Sequence, residues 1–141
     1  MSTKARLTKG TLLKRGTGSP VSYATIAEVT AVGDFGQESA LLDVTHLEST
    51  ALEYILSLPD GAEMSTECNW IATSTDPTSV HEDMITDQAA GVAVPFQIVL
   101  PGGEGTFTFS ALVRKWNLPL GPNIAQKIAF TLKITGTISF A

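Results

Sequence analysis

The chain has 141 residues, 43% hydrophobic and 16% charged, a length and balance that fit one globular domain and exclude a disordered chain. At this length a compact fold buries about 70% of the surface its unfolded chain exposes, so no disulfide or metal is needed to staple it. The net charge of −5 divides sharply: every Lys and Arg lies within residues 4–15 or 114–133, and all 14 acidic residues lie within 28–104, which argues against tight nucleic-acid binding and for self-complementary assembly.

Residues 1–9 are polar and basic, with only Met1 and Leu7 apolar, and are expected to form a loose arm ahead of a single domain over 10–141. No apolar core segment follows the basic start, so no signal peptide is expected. A first strand at 10–15 meets the turn residues Gly16-Thr17-Gly18-Ser19-Pro20, which predict a hairpin. The Thr-, Val- and Ile-rich run 23–32 then reads as one strand covered on both sides, stopped by Gly33-Asp34-Phe35-Gly36.

Residues 33–61 are the least regular part of the chain, with a short strand expected at 40–44 and a helical turn at 50–58 before Pro59-Asp60-Gly61 turns the chain back. A connection this long in a compact domain is uncommon. Its leucines, together with Tyr54 and Ile55, are too apolar for disorder, so the segment needs a surface to pack against and is an interface candidate.

Four strands follow with clearer alternation. In the first, Met64, Thr66, Cys68 and Trp70 share one face and Glu63, Ser65, Glu67 and Asn69 the other. Val92, Val94, Phe96, Ile98 and Leu100 align along the second, which turns at 101–105. Phe107, Phe109, Ala111 and Val113 return along the third until Pro119 and Pro122 interrupt pairing. The fourth runs from Ile124 to Ile138, with Gly136 as a bulge candidate. At ~3.3 Å per residue it would extend roughly 50 Å, longer than the ~37 Å diameter expected from the radius of gyration of such a domain. It must bend sharply or join a sheet shared between subunits. Before the second of these strands lies one helix, with Ser79 and Glu82 as a capping box, Val80, Met84 and Ile85 as its apolar stripe and Gly91 as its stop. The expected architecture is mainly β, a β-sandwich or barrel with one α-helix and a long inter-strand loop.

Catalytic constellations are weak. His46 and His81 lack zinc spacing, and the lone Cys68 cannot form an internal bridge, so neither a metal nor any other cofactor is expected. Asp83 and Asp87, four apart on the helix, read as solvated carboxylates rather than a cation site. Asp43-Val44-Thr45-His46 is a fragment of a hydrolytic arrangement without a nucleophile turn. No enzyme is expected. The longest apolar run, 89–100, is too short to cross a bilayer. Exposed Trp70 or Trp116 would serve as the platform of a monomeric carbohydrate- or other ligand-binding β-sandwich module, the alternative of another class.

The order of elements resembles the major tail tube proteins of long-tailed bacteriophages with non-contractile tails. The matching features run from Gly10-Thr11-Leu12-Leu13-Lys14 through Thr25-Ile26-Ala27-Glu28-Val29-Thr30, Leu42-Asp43-Val44-Thr45-His46 and Leu58-Pro59-Asp60-Gly61-Ala62-Glu63. The strand ending at Trp70, the helix, Phe96-Gln97-Ile98-Val99-Leu100-Pro101-Gly102-Gly103, the Phe-rich return strand and a terminal Ile-Thr-Gly-Thr complete it. The resemblance implies a virion protein forming hexameric rings that stack into a genome-ejection tube, assembled in the host cytoplasm. Implied partners are further copies, tail tip or initiator, terminator and tape-measure proteins, with duplex DNA passing through unbound. It further implies that the loop over 33–60 and the N-terminal arm make inter-subunit and inter-ring contacts. Arg6, Lys9, Leu42, Asp43, Thr45, His46, Leu47, Tyr54, Leu58 and Asp60 are the candidates for these contacts. Glu63, Ser65 and Glu67 are the candidates for the lumen, because an acidic or neutral wall would not retain DNA. A ring protein of type VI secretion shares this architecture and is the related alternative.

Overall fold

A computed structural model of the chain describes residues 9–77 and 79–141. The expected N-terminal arm, Lys9 apart, and with it Arg6, lies outside the described residues. The elements in chain order are β1 (Leu12–Thr17), β2 (Ser22–Thr25), β3 (Val29–Val32), β4 (Gln37–Glu38), β5 (Leu41–Asp43), β6 (Tyr54–Leu56), β7 (Asp60–Gly61) and β8 (Glu63–Asn69). Helix α1 (His81–Ala90), β9 (Val94–Val99), a 3-10 turn (Pro101–Gly103), β10 (Thr106–Asn117) and β11 (Lys127–Phe140) follow.

Seven strands form one antiparallel sheet in the order β2-β1-β9-β10-β11-β8-β3, curled into a half-barrel. The alternation in the sequence sets its two faces. Leu13, Phe96, Ile98, Phe109, Ala111, Val113, Met64, Cys68, Ile128, Phe130, Leu132 and Ile134 are buried and join Val80 and Met84 beside the helix in one core. On β8 the intervening Glu63, Ser65 and Glu67 are exposed. Those residues pair with Lys133, Thr131 and Ala129 of β11, so acidic and basic side chains share one outer face.

Several local expectations are corrected. The single strand expected over 23–32 is two, β2 and β3, on opposite edges of the sheet. The chain leaves β2 through Ile26, whose amide donates to the Leu13 carbonyl, and turns at Glu28, a non-glycine residue with φ 49°. Where a helical turn was expected over 50–58, β6 pairs with β5, Leu42 lying opposite Ile55 and Asp43 opposite Tyr54. The apolar residues there sit on a two-stranded ribbon and gain cross-strand neighbours that a helical turn would not supply.

The helix begins without the expected capping box. The Ser79 hydroxyl donates to the Ile71 carbonyl at 2.8 Å, and the Glu82 carboxylate accepts from the Thr73 amide at 3.0 Å. Both box residues therefore fasten the 71–73 loop to the helix start. That contact holds the Glu82 carboxyl below its ordinary value, through hydrogen bonding to Thr73. Gly91 closes the helix in the left-handed conformation, φ 68°, as expected.

The long final strand bends. Thr108 lies opposite Ser139, but Ser110 lies opposite Thr135, so β11 carries extra residues around Gly136, which has φ 78°. A second register shift falls between Val113 and Lys115 of β10. The strand starts only at Lys127, so Ile124 and Gln126 belong to the connection before it.

Candidate self-assembly surfaces

The ribbon over residues 33–61 is positioned by close backbone contact at both ends. Entering it, the Gly33 amide donates to the Ser65 carbonyl at 2.6 Å, and a Cβ on Gly33 would stand 2.8 Å from that oxygen. Leaving it, Gly61 lies against Ile134, where a Cβ would stand 2.5 Å from Cγ2 and 2.6 Å from Cβ of that residue. These two glycines let the ribbon start and finish directly on the sheet. At its base Gln37–Glu38 pairs with Asp60–Gly61, and Lys133 reaches Asp60 Oδ1 at 3.1 Å and donates to the Gly61 carbonyl.

Beyond the base, the ribbon is apolar and unburied. Leu41, Leu42, Val44, Leu47, Leu52, Tyr54, Ile55, Leu56 and Leu58 are all exposed, Leu58 retaining 89% of its accessible surface. Apolar side chains on both faces of two short strands form a contiguous patch of the kind that marks a protein interaction site. Among the described residues, no other part of the fold covers it.

The polar residues of the segment organise its tip. Asp43 Oδ1 accepts from the Thr45 amide at 2.9 Å, and the hydroxyl and amide of Thr45 hold the Asp43 carboxyl below its ordinary value. The Glu53 amide donates to Thr45 Oγ1 at 2.8 Å. Ser49 Oγ donates to Glu53 Oε2 at 2.6 Å, and His46 Nε2 lies 3.3 Å from the same oxygen. Asp43 and His46 thus belong to a closed turn, and no hydrolytic arrangement forms between them.

Of the contact candidates, Leu42, Asp43, Thr45, His46, Leu47 and Tyr54 come together on the outer ribbon. Leu58 sits near its base, and Asp60 lies within the base, tied to Lys133. Lys9 is exposed elsewhere, beside a cleft of about 650 Å³ lined by β3 and the apolar residues Phe35, Ile98, Leu100 and Phe107.

The lumen candidates Glu63, Ser65 and Glu67 share the outer sheet face, and there the carboxylates are paired. Arg114 lies 3.3 Å from Glu63 and Lys127 lies 3.5 Å from Glu67. The face is therefore mixed in charge.

Sequence reasoning missed two buried polar features. Asp87, expected to be solvated, is buried and holds Arg15 of β1. His81 is fully buried: Nδ1 accepts from the Ile71 amide at 3.1 Å, Nε2 faces the Ala27 carbonyl at 2.9 Å, and its ring stacks on Trp70. The donor and acceptor on its two sides define a neutral ring with the proton on Nε2. Trp70 is thereby half-buried structure rather than an open platform.

No protein-family model and no curated protein matches the chain. Solved structures do. A chain in the virion of a native gene transfer agent particle is 20% identical, with a TM-score of 0.73, over 97% of this chain and 99% of that one. A chain from the tail of an empty gene transfer agent particle, refined with C6 symmetry, is 20% identical with a TM-score of 0.75 over the same shares. A chain of the SPP1 tail tube is 9% identical with a TM-score of 0.64, over 92% of this chain and 75% of that one. The fold is therefore shared with these chains.

Proposed function

We propose that this chain is a structural tail tube protein, a subunit of six-membered rings that stack into the tube of a virion tail. One observation carries the reading: a well-packed half-barrel projects an apolar ribbon that none of the other described residues covers, on a fold shared nearly end to end with a chain from a C6-symmetric tail. A folded domain keeps such a surface when assembly buries it.

In this reading Leu42, Leu47, Tyr54 and Leu58 supply apolar contact between copies. Asp43, Thr45 and His46 shape the ribbon tip, and Asp60 braces its base. Arg6 and Lys9 contribute positive charge toward the acidic middle of another copy. The outer face carrying Glu63, Ser65 and Glu67 lines the bore, through which duplex DNA passes unbound. Tip or initiator, terminator and tape-measure proteins are the further partners that the family resemblance implies.

Electron microscopy and light scattering of the purified chain across a concentration series test this. Rings or tubes are the expected result. A chain that stays monomeric at every concentration, with Leu42→Asp and Leu47→Asp changing nothing in its sedimentation, overturns it.

A further inference from the structure

The half-barrel is open along β3. This strand ends the sheet order and pairs on one side only, with β8, and among the described residues its other edge meets no strand. The cleft of about 650 Å³ beside Lys9 borders that strand, lined by residues 29–33 and by residues 9–11. Its floor is apolar, built from Phe35, Ile98, Leu100 and Phe107, with Val29 and Val32 packed against the same core. A free strand edge beside an apolar floor offers backbone hydrogen bonds and room for alternate side chains together, the two requirements of an added strand.

The occupant is indicated by the sequence ahead of Lys9. The chain enters the described fold at this cleft, turning at Lys9 and Gly10, where Gly10 has φ 96°. In Met1-Ser2-Thr3-Lys4-Ala5-Arg6-Leu7-Thr8, the odd positions hold Met1, Thr3, Ala5 and Leu7, and the even positions hold Ser2, Lys4, Arg6 and Thr8. That is the period-two alternation of a strand with one largely apolar face and one polar, basic face. Eight residues extend roughly 26 Å at ~3.3 Å per residue, against about 16 Å for residues 29–33. The segment therefore spans the edge with length to spare for crossing the cleft.

We propose that residues 1–8 dock as an added strand on the free edge of β3 in the same copy, closing the seam of the half-barrel. Met1, Ala5 and Leu7 cover the apolar floor, and Lys4 and Arg6 stay on the solvent side, where another copy can still meet their charge. Tethered at the cleft, the segment meets its own edge at a roughly millimolar effective concentration, above that of any second copy in dilute solution. The docking takes place within one copy, so it goes beyond the tail tube reading and stands or falls without it.

Hydrogen exchange of the full chain, diluted until it sediments as a monomer, tests the added strand. Leu7→Asp is expected to speed amide exchange within residues 29–33 about tenfold or more, because a buried leucine is lost and a charge would enter the apolar floor. Arg6→Glu, on the solvent side, is expected to leave that exchange unchanged, and β9 and β10 are expected to exchange alike in both variants and the native chain. Exchange within 29–33 that is the same in Leu7→Asp as in the native chain, or that rises equally in Arg6→Glu, overturns the proposal.

Cysteine pairing identifies the copy, because the native Cys68 is buried and does not compete. Chains carrying Leu7→Cys together with Val32→Cys or Leu100→Cys are mildly oxidised at the same dilution. At least one variant is expected to form a link within one chain, located by peptide mass spectrometry and running at monomer mass on a non-reducing gel. Links only between chains, or none in either variant, overturn docking in the same copy while leaving the tube reading intact.

Discussion

Arg15 and Asp87, 72 residues apart in sequence, face each other through two parallel bonds, Nε to Oδ2 at 2.7 Å and Nη2 to Oδ1 at 2.8 Å. Their side chains are only 13% and 11% exposed. The pair clamps the last turn of α1 to β1 at the margin of the core. Asp87→Ala strands a mostly buried guanidinium and is expected to cost about 3–5 kcal/mol, read from urea unfolding. The hydrogen bond to Asp87 raises the Arg15 pKa above the ordinary arginine value, burial opposes it, and the charges of Asp87 and Asp83 add to the rise. A raised value means the stabilisation is complete below the ordinary arginine value and is lost only as pH rises beyond it. Deprotonation of Arg15 therefore has no effect on unfolding between pH 6 and 9.

Gly61 is required by proximity. Ile134 leaves no room for a Cβ there, while Gly36, at the other side of the ribbon base, has open space around it. Gly61→Ala is expected to destabilise by about 1–3 kcal/mol through overpacking, and Gly36→Ala by less. Thermal melting compares the two, and a similar cost for both would remove the close approach as the cause.

Thr66 is 1% exposed, and its hydroxyl finds no hydrogen-bond partner among the described residues. Thr66→Val keeps the shape and removes the unpaired group. It is expected to stabilise the fold by about 1 kcal/mol, measured by the midpoint of denaturant unfolding.

Burial pushes the Cys68 thiol up from 9.0 to about 12, with a smaller contribution from the charge of Glu67. The folded chain therefore holds its proton more tightly than the unfolded chain. The resulting stability is complete below the unfolded value and declines as pH rises from there toward 12. At pH 8 the native thiol is expected to resist alkylation and to label only as the chain unfolds, followed by mass spectrometry across a urea series.

Strand alternation at 63–69, 94–99 and 106–113 made the core residues of β8, β9 and β10 legible, because a half-buried sheet writes its two faces with period two. The apolar content of 33–61 likewise marked a segment lacking its own cover. Its ribbon form was not legible, because β5 and β6 are three residues each, too short for alternation to show, and the segment is anchored by glycine contacts at Ser65 and Ile134 of the distant sheet. The capping box over 79–82 was a local signal outcompeted by backbone groups of the 71–73 loop. Asp87 read as solvated because its partner lies on a strand far away in sequence, and charges met only through the fold leave no spacing to read.

The outer sheet face has a consequence for anything that moves along it. Each carboxylate of the β8 row has a cation within 4 Å, Arg114 of β10, across the intervening β11, for Glu63 and Lys127 of the adjacent β11 for Glu67. Opposite charges so close together cancel at a distance, and with a screening length of about 8 Å at physiological salt little field survives beyond the first layers of water. A polyelectrolyte sliding past would meet a finely corrugated potential, with neither deep wells to trap it nor a barrier to keep it out. Friction, rather than attraction or repulsion, would then set its speed.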